Sequence, residues 1–184
     1  MQKRNFSLLE VLTVVAIIAV LMALLIPHMV GGQGKKARAK ADMKSLEIAV
    51  ASYESAYNIL PILNGDTSDT PLNSDDYDTL MQVLAKVDMT AGGTALNKKD
   101  LANDRSIQFL HVNTRFASDG YLDPWGKRYV VILDSNCDNK VAVGATTVQG
   151  KTAIYSFGPD GDDDQGKATG SSGNNKFDDV PSWD

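Results

Sequence analysis

The feature that most constrains this chain is a long apolar run near its N-terminus. Between Val11 and Ile26 no residue is charged, and Thr13 alone is polar. A helix from Phe6 to Ile26 would be about 30 Å long at roughly 1.5 Å per residue, which matches the hydrocarbon thickness of a bilayer. The sequence therefore predicts a membrane-spanning helix over residues 6–26.

A secretory signal peptide is the alternative for this segment, because Lys3 and Arg4 form a basic start. The apolar run exceeds the usual length of about 7–15 residues in signal peptides, and the following PHMVGGQG has no cleavage site of the Ala-x-Ala kind. We therefore favour a retained membrane helix. Basic residues stand on both sides of the run, so the positive-inside rule does not decide its orientation.

A single carboxylate, Glu10, stands at the start of the apolar run. A charged side chain near the centre of a membrane helix costs about 2.5–3.5 kcal/mol and needs a partner, whereas one close to an end can reach the interface. No cation lies within the span to neutralise it. A cation from another molecule is the economical partner, and the free α-amino group of Phe6 in a neighbouring subunit would serve if residues 1–5 were removed.

Residues 27–34 form a predicted hinge after the span. Pro27 lacks an N–H donor, and each glycine that follows costs roughly 1 kcal/mol in a helix interior. A plain loop leaving the membrane is the alternative.

From Gln33 to Leu60 the pattern is helical again, with an apolar stripe at spacings of three and four: Leu46, Val50, Tyr53, Tyr57 and Leu60. The basic residues at its start face solvent, anionic lipid or another subunit.

The rest of the chain predicts a small α+β domain. A short amphipathic helix is predicted at Asp75–Val87. Runs rich in Val, Ile, Tyr and Phe then predict three strands of a small antiparallel meander, at Arg128–Asp134, Lys140–Ala145 and Thr152–Gly158. We expect the long N-terminal helix to lie across this sheet.

Four stretches of the sequence carry a resemblance to a known family. FSLLEVLTVVAIIAVLMALLIP resembles the N-terminus of type IV pilins and type II secretion pseudopilins, with an aromatic residue, a Glu four positions on, an apolar helix and a Pro near its end. YLDPWGKRYVV, YSFGPDG and the terminal DDVPSW resemble the major pseudopilin of type II secretion. The resemblance implies a type IV pilin-like fold, in which the second half of the long helix packs on the sheet of a periplasmic head at residues 35–184.

The resemblance also implies how such a chain matures and assembles. A prepilin peptidase would remove the leader, residues 1–5, between Asn5 and Phe6 and methylate the new amine. Glu10 would then pair with the amine of Phe6 in a neighbour, giving a helical homopolymer that starts from the inner membrane and works with minor pseudopilins and an inner-membrane assembly platform. The family usually has Gly before the cut, and here the residue is Asn5.

The acidic C-terminal loop predicts a calcium site. Its carboxylates suit a hard cation with six to eight oxygen ligands, although the spacing is not that of an EF-hand. The resemblance implies side-chain ligands from Asp160, Asp178 and Asp179 and backbone carbonyls from Phe157 and Asp162. A solvated acidic tail is the alternative. Asp134, Asn136 and Asp138 form a second candidate, for which we favour a plain hairpin turn.

Other classes of function are disfavoured by what the sequence contains. No catalytic or phosphate-binding motif is present, and the two histidines, His28 and His111, predict no zinc site. The net charge of -5 gives no reason to expect nucleic-acid binding. We therefore expect a structural subunit of a type II secretion-like pseudopilus and not an enzyme. The alternatives are a type IV pilus pilin and a non-assembling, single-pass membrane-anchored calcium-binding domain.

Overall fold

The structure is a computed structural model, and it describes residues 8–30, 32–61, 69–86, 105, 107–112, 121–172 and 175–183. At residues 22–30 and 175 only the backbone is described. The chain divides into two units, Met1–Ala37 and Arg38–Asp184.

The first unit contains helix α1, Leu8–Val30, and the start of helix α2, Gln33–Tyr57. Helix α1 continues through Pro27, because proline removes one hydrogen bond but keeps φ in the helical range, and the hinge at residues 27–34 stays a prediction. Gly32, just before helix α2, is a bend and lies within the range of the predicted hinge. Within the described part of the chain, no helix combines the length and the apolarity that a membrane crossing needs. The predicted span begins at Phe6, outside the described residues.

Helix α2 buries one face in the second unit. Its buried residues recur every three or four positions, as a helix packed on one side requires: Ala39, Met43, Leu46, Ala49, Val50 and Tyr53. The predicted stripe is confirmed at Leu46, Val50 and Tyr53, while Tyr57 and Leu60 are partly buried against the same core. The helix ends before Leu60, because Asn58 takes a left-handed conformation with φ of 58°.

Helix α3, Ser74–Ala85, lies close to its predicted position. The Asn73 side chain caps it by accepting hydrogen bonds from the N–H groups of Asp75 and Asp76. Leu80, Met81 and Leu84 of the predicted apolar face are fully buried. Val87, the fourth residue of that face, lies outside the described residues.

Among its described residues, the second unit also has seven short strands: β1 Val130–Leu133, β2 Lys140–Val143, β3 Thr146–Gln149, β4 Thr152–Ser156, β5 Ser171–Ser172, β6 Asn175–Lys176 and β7 Val180–Pro181. All pairs are antiparallel, and the largest sheet has the order β1-β4-β7. The three predicted strands are confirmed, but their predicted meander order is wrong. The two-residue loop at Gly144 and Ala145, with φ of 56° at the glycine, closes β2 onto β3, which leaves β1 to pair with β4.

The sheet of β1, β4 and β7 is buried on both faces, since successive side chains point to opposite sides. Val131, Leu133 and Ile154 belong to the core formed with α2 and α3. Ile132, Ala153 and Tyr155 pack with the β2-β3 hairpin on the other face. The antiparallel pairing of Ser156 with Val180 places the residues that follow β4 beside those that precede β7.

Candidate metal centre

The acidic loop leaves β4 and returns to β7 through several left-handed positions. Gly158, Gly161 and Gly166 have φ between 72° and 75°. At Gly158 a side chain would also collide with the returning chain, because a Cβ atom there would stand 2.7 Å from Asp178 Oδ1 and closer still to the Asp178 carbonyl oxygen. A glycine at this position therefore lets the two arms of the loop approach closely.

Three carboxylates meet where these arms approach. Asp160, Asp164 and Asp178 each offer one carboxylate oxygen, and the three oxygens lie within 4.8 Å of one another. Asp164 is only 4% exposed, and its Oδ2 accepts a hydrogen bond of 3.3 Å from the Asp178 N–H. Three negative groups this close repel one another unless a cation neutralises them. The oxygen chemistry and the partly buried position suit calcium.

Asp179 lies beside this group but has a different role in the loop. Its Oδ2 accepts hydrogen bonds from the N–H groups of Asp164, at 3.1 Å, and Gly166, at 2.8 Å. Its other oxygen, Oδ1, is buried and has no hydrogen-bond partner among the residues that the structure describes, an unfavourable state that a cation would relieve. Burial raises the pKa of Asp179 to about 7, against the opposing effect of the Gly166 N–H. The carboxylates present thus fit a calcium ion.

The predicted ligands are only partly brought together. Asp160 and Asp178 are in the group of three, whereas Asp179 is not a member of it. Asp164 was not among the ligands predicted from the sequence, because the run Asp162–Asp164 does not reveal which of its three side chains is buried in the loop. Phe157 is half-buried against Tyr155, and the exposed Asp162 donates its N–H to Asp160 Oδ1 at 3.0 Å. The backbone ligand roles of Phe157 and Asp162 remain predictions.

The C-terminal segment packs on the loop that holds these carboxylates. The Ser182 N–H donates to the Ile154 carbonyl at 2.9 Å and so extends the contact of β7 with β4. The Trp183 ring occupies the space that a side chain at Gly166 would need, with Cη2 2.7 Å from the position of a Cβ atom. It also meets the Tyr155 ring edge-on, at 6.2 Å between centroids. The packing of the C-terminal segment therefore depends on the conformation of the acidic loop.

A second group of carboxylates, Asp69, Asp134 and Asp138, forms elsewhere in the second unit. The buried Asp134 accepts hydrogen bonds from the N–H groups of Asp138, at 3.1 Å, and Asn139, at 2.8 Å. Asn136 Oδ1 accepts from the Asp138 N–H at 2.9 Å, and Asp69 accepts from Ser135. These bonds are those of a side-chain-stabilised turn. The second metal site therefore stays an untested alternative.

The predicted assembly residues lie in or before α1. Asn5 and Phe6 are outside the described residues. Glu10 is exposed in the first turn, and its carbonyl accepts a hydrogen bond of 2.9 Å from the Thr13 hydroxyl. The neighbouring apolar side chains are also exposed, with Leu8 at 88% and Leu12 at 69%. The carboxylate thus stands on an apolar helix surface.

Three known proteins are similar to this chain over most of its length. Type II secretion system core protein G of Dickeya chrysanthemi is 27% identical over 176 residues, which cover 90% of this chain and 86% of that protein. The protein of the same name from Pectobacterium carotovorum subsp. carotovorum is 28% identical, with 87% of this chain and 78% of that protein covered. The one from Escherichia coli (strain K12) is 26% identical, with 88% and 85% covered. No family model matches the chain, and no solved structure does. The similarity to these three proteins confirms the resemblance to the major pseudopilin of type II secretion.

Proposed function

We propose that this chain is a structural subunit of a type II secretion-like pseudopilus, a filament assembled from the inner membrane that helps drive protein export across the outer membrane. The observation that carries the proposal is the similarity of about nine-tenths of the chain to proteins named as core components of that system. The subunit acts mechanically, and no catalytic step is part of its role.

The exposed apolar surface of α1 supports an assembly role. Such a surface is unfavourable in water and is covered either by lipid or by apolar helices of other subunits. We propose that residues 6–26 first span the inner membrane, with the head in the periplasm, and then pack against the same segment of neighbouring subunits. The apolar length of this segment in the sequence is the basis for the span.

Glu10 would set the position of each subunit in the filament. A carboxylate and an ammonium 4 Å apart attract by about 4 kcal/mol at an effective dielectric constant of 20. Leader removal would create that ammonium at Phe6 of a neighbour. The pairing is specific because the residues around Glu10 in α1 are apolar and offer no competing cation.

The decisive variant for assembly is Glu10→Gln, which keeps the size of the side chain and removes its charge. We expect it to insert in the membrane but to form no filaments, as measured by membrane fractionation and by recovery of sheared filaments. Thr13→Val, one turn further along α1, is the matched control and should assemble normally. Normal filaments from Glu10→Gln would refute the role of the charge.

The behaviour of wild type decides between the alternatives. Long surface fibres would indicate a type IV pilus pilin, and a wild-type chain that never assembles would indicate the membrane-anchored domain.

Leader cleavage is tested by intact and peptide mass spectrometry of the chain purified from its native membrane. We expect a chain that begins with methylated Phe6, despite Asn5 before the cut. A chain that still begins at Met1 would leave Glu10 without its proposed partner and would contradict assembly by this route.

We further propose that calcium binds to the Asp160, Asp164 and Asp178 carboxylates, with Asp179 alongside, and holds the C-terminal segment on the sheet. When bound, the cation neutralises the clustered charges and joins the two arms of the loop. Asp164→Asn should weaken calcium binding at least about tenfold in calorimetric titration of the detergent-solubilised full chain. Asp162→Asn is the control, because only the backbone of Asp162 is proposed as a ligand. Equal affinities in wild type and Asp164→Asn would exclude this site.

A further inference from the structure

The turn at Asp123-Pro124-Trp125-Gly126 is built around a buried carboxylate. Asp123 is 5% exposed, and its Oδ1 accepts hydrogen bonds from the N–H groups of Trp125, at 2.9 Å, and Lys127, at 2.8 Å. The Asp123 N–H donates to the Lys127 carbonyl at 2.7 Å, which closes the turn. These bonds fix the position of the carboxylate with respect to its own backbone.

The second oxygen of this carboxylate reaches out of the turn. Asp123 Oδ2 accepts a hydrogen bond from the hydroxyl of Ser156, a fully buried residue at the end of β4. The same hydroxyl oxygen accepts the N–H of Gly158 at 3.2 Å. A hydroxyl that donates to a carboxylate becomes a stronger acceptor, so the two hydrogen bonds reinforce each other.

Gly158 in turn lies against one of the clustered carboxylates. A Cβ atom on Gly158 would stand 2.7 Å from Asp178 Oδ1 and closer still to the Asp178 carbonyl oxygen. Ser156 also pairs with Val180, two residues beyond Asp178. A shift of the backbone at Gly158 would therefore move Asp178 with respect to Asp160 and Asp164.

We propose that Asp123 and Ser156 are positioning residues of the calcium site, which act through Gly158 on the placement of Asp178. This inference rests on the proposed calcium binding. Neither residue belongs to the group of three carboxylates whose oxygens converge. Their contribution is to hold the loop in the geometry that a cation needs before it binds. Loss of such supporting hydrogen bonds typically lowers metal affinity about 10–100-fold.

The test is a calorimetric calcium titration of the full chain in detergent, with the calcium-free unfolding temperature of each variant measured alongside. Asp123→Asn keeps the Oδ1 acceptor and replaces Oδ2 by an amide donor, which cannot accept the Ser156 hydroxyl. Ser156→Ala removes that hydroxyl. We expect both variants to bind calcium about 10–100-fold more weakly. The double variant should bind calcium no more weakly than the weaker-binding single variant, because both substitutions break the same chain of hydrogen bonds from Asp123 through Ser156 to Gly158.

Tyr77→Phe is the matched control for the loss of a buried hydroxyl. The Tyr77 hydroxyl donates to the Tyr121 carbonyl at 2.6 Å, and neither residue lies in the acidic loop. This variant should lose stability but bind calcium with an affinity within about twofold of wild type, because it leaves the hydrogen bonds among Asp123, Ser156 and Gly158 intact.

The possible failures are distinguishable. If wild type binds calcium and Asp123→Asn binds it equally well, the positioning role is overturned, even when the calcium-free unfolding temperature falls. If wild type binds no calcium, the proposed site itself is overturned, and the positioning role with it. If Ser156→Ala does not fold, Asp123→Asn decides the question, since it changes a single atom type in the turn.

Discussion

Substitution of Gly158 by Ala tests the geometry of the acidic loop most directly. Gly158 has φ of 72°, a left-handed conformation that costs an L-residue about 1–2 kcal/mol. The added Cβ atom would also stand 2.7 Å from Asp178 Oδ1 and closer to the Asp178 carbonyl oxygen, which is main chain and cannot rotate away. The variant therefore has two effects, a local strain and a displacement of Asp178.

The two effects separate in the presence and absence of calcium. Without calcium, we expect Gly158→Ala to lose at least about 1–2 kcal/mol from the strain. At a calcium concentration of about 100 times the dissociation constant, wild type should gain about 2.7 kcal/mol, or roughly 5–11 °C at about 2–4 °C per kcal/mol. The variant should gain almost nothing, because its carboxylates no longer converge.

The measurement is thermal unfolding of the full chain in detergent, followed by circular dichroism in EDTA and in calcium. Gly150→Ala is the matched control, since Gly150 has φ of 144° but no atom within 4 Å of the added Cβ. It should lose stability by about 1–3 kcal/mol and keep the full gain from calcium. A gain in Gly158→Ala equal to that of wild type would refute our account of the loop.

Three further predictions concern the second unit. Asn73→Ala removes the cap of α3 and should lower the free energy of unfolding by about 1 kcal/mol in urea denaturation. Burial raises the pKa of Tyr77, so above about pH 10 the unfolded chain loses this proton before the folded chain does. The free energy of unfolding should therefore fall as the pH rises from 10, and Tyr77→Phe should show a shallower fall. Trp183→Ala removes the packing of the C-terminal segment on Gly166 and Tyr155. Trypsin should therefore cut after the exposed Lys176 faster than in wild type. An unchanged rate of cleavage would contradict the role of Trp183 in holding the C-terminal segment on the acidic loop.

The local elements could be predicted because their signals are local. The apolar spacing from Leu46 to Tyr53 predicts the buried face of α2, and Asp75 with the run around Leu80 predicts α3 to within a few residues. The β-branched and aromatic runs likewise predict β1, β2 and β4. Each of these patterns depends only on residues within a few positions of one another.

The pairing of the strands and the choice of carboxylates could not be predicted in the same way. Thr146–Gln149 has little apolar content, and it becomes a strand because the short loop at Gly144 folds it onto β2. Asp162, Asp163 and Asp164 have equal chemistry in the sequence. Asp164 lies inside the loop, where its N–H donates a hydrogen bond to Asp179 Oδ2. Asp163 instead accepts a hydrogen bond from the Tyr155 hydroxyl.

By itself, the sequence determined the apolar N-terminal helix with Glu10 at its start, the amphipathic helices of the second unit and an acidic loop suited to calcium. These depend on composition and on spacing along the chain. The tertiary structure alone decided that β4 lies between β1 and β7, that Asp164 joins Asp160 and Asp178, and that Asp123 reaches Gly158 through Ser156. The contacts that decide these arrangements, Asp164 with Asp178 and Asp123 with Ser156, join residues 14 and 33 positions apart, and their energies exist only after the sheet has brought the residues within hydrogen-bonding distance.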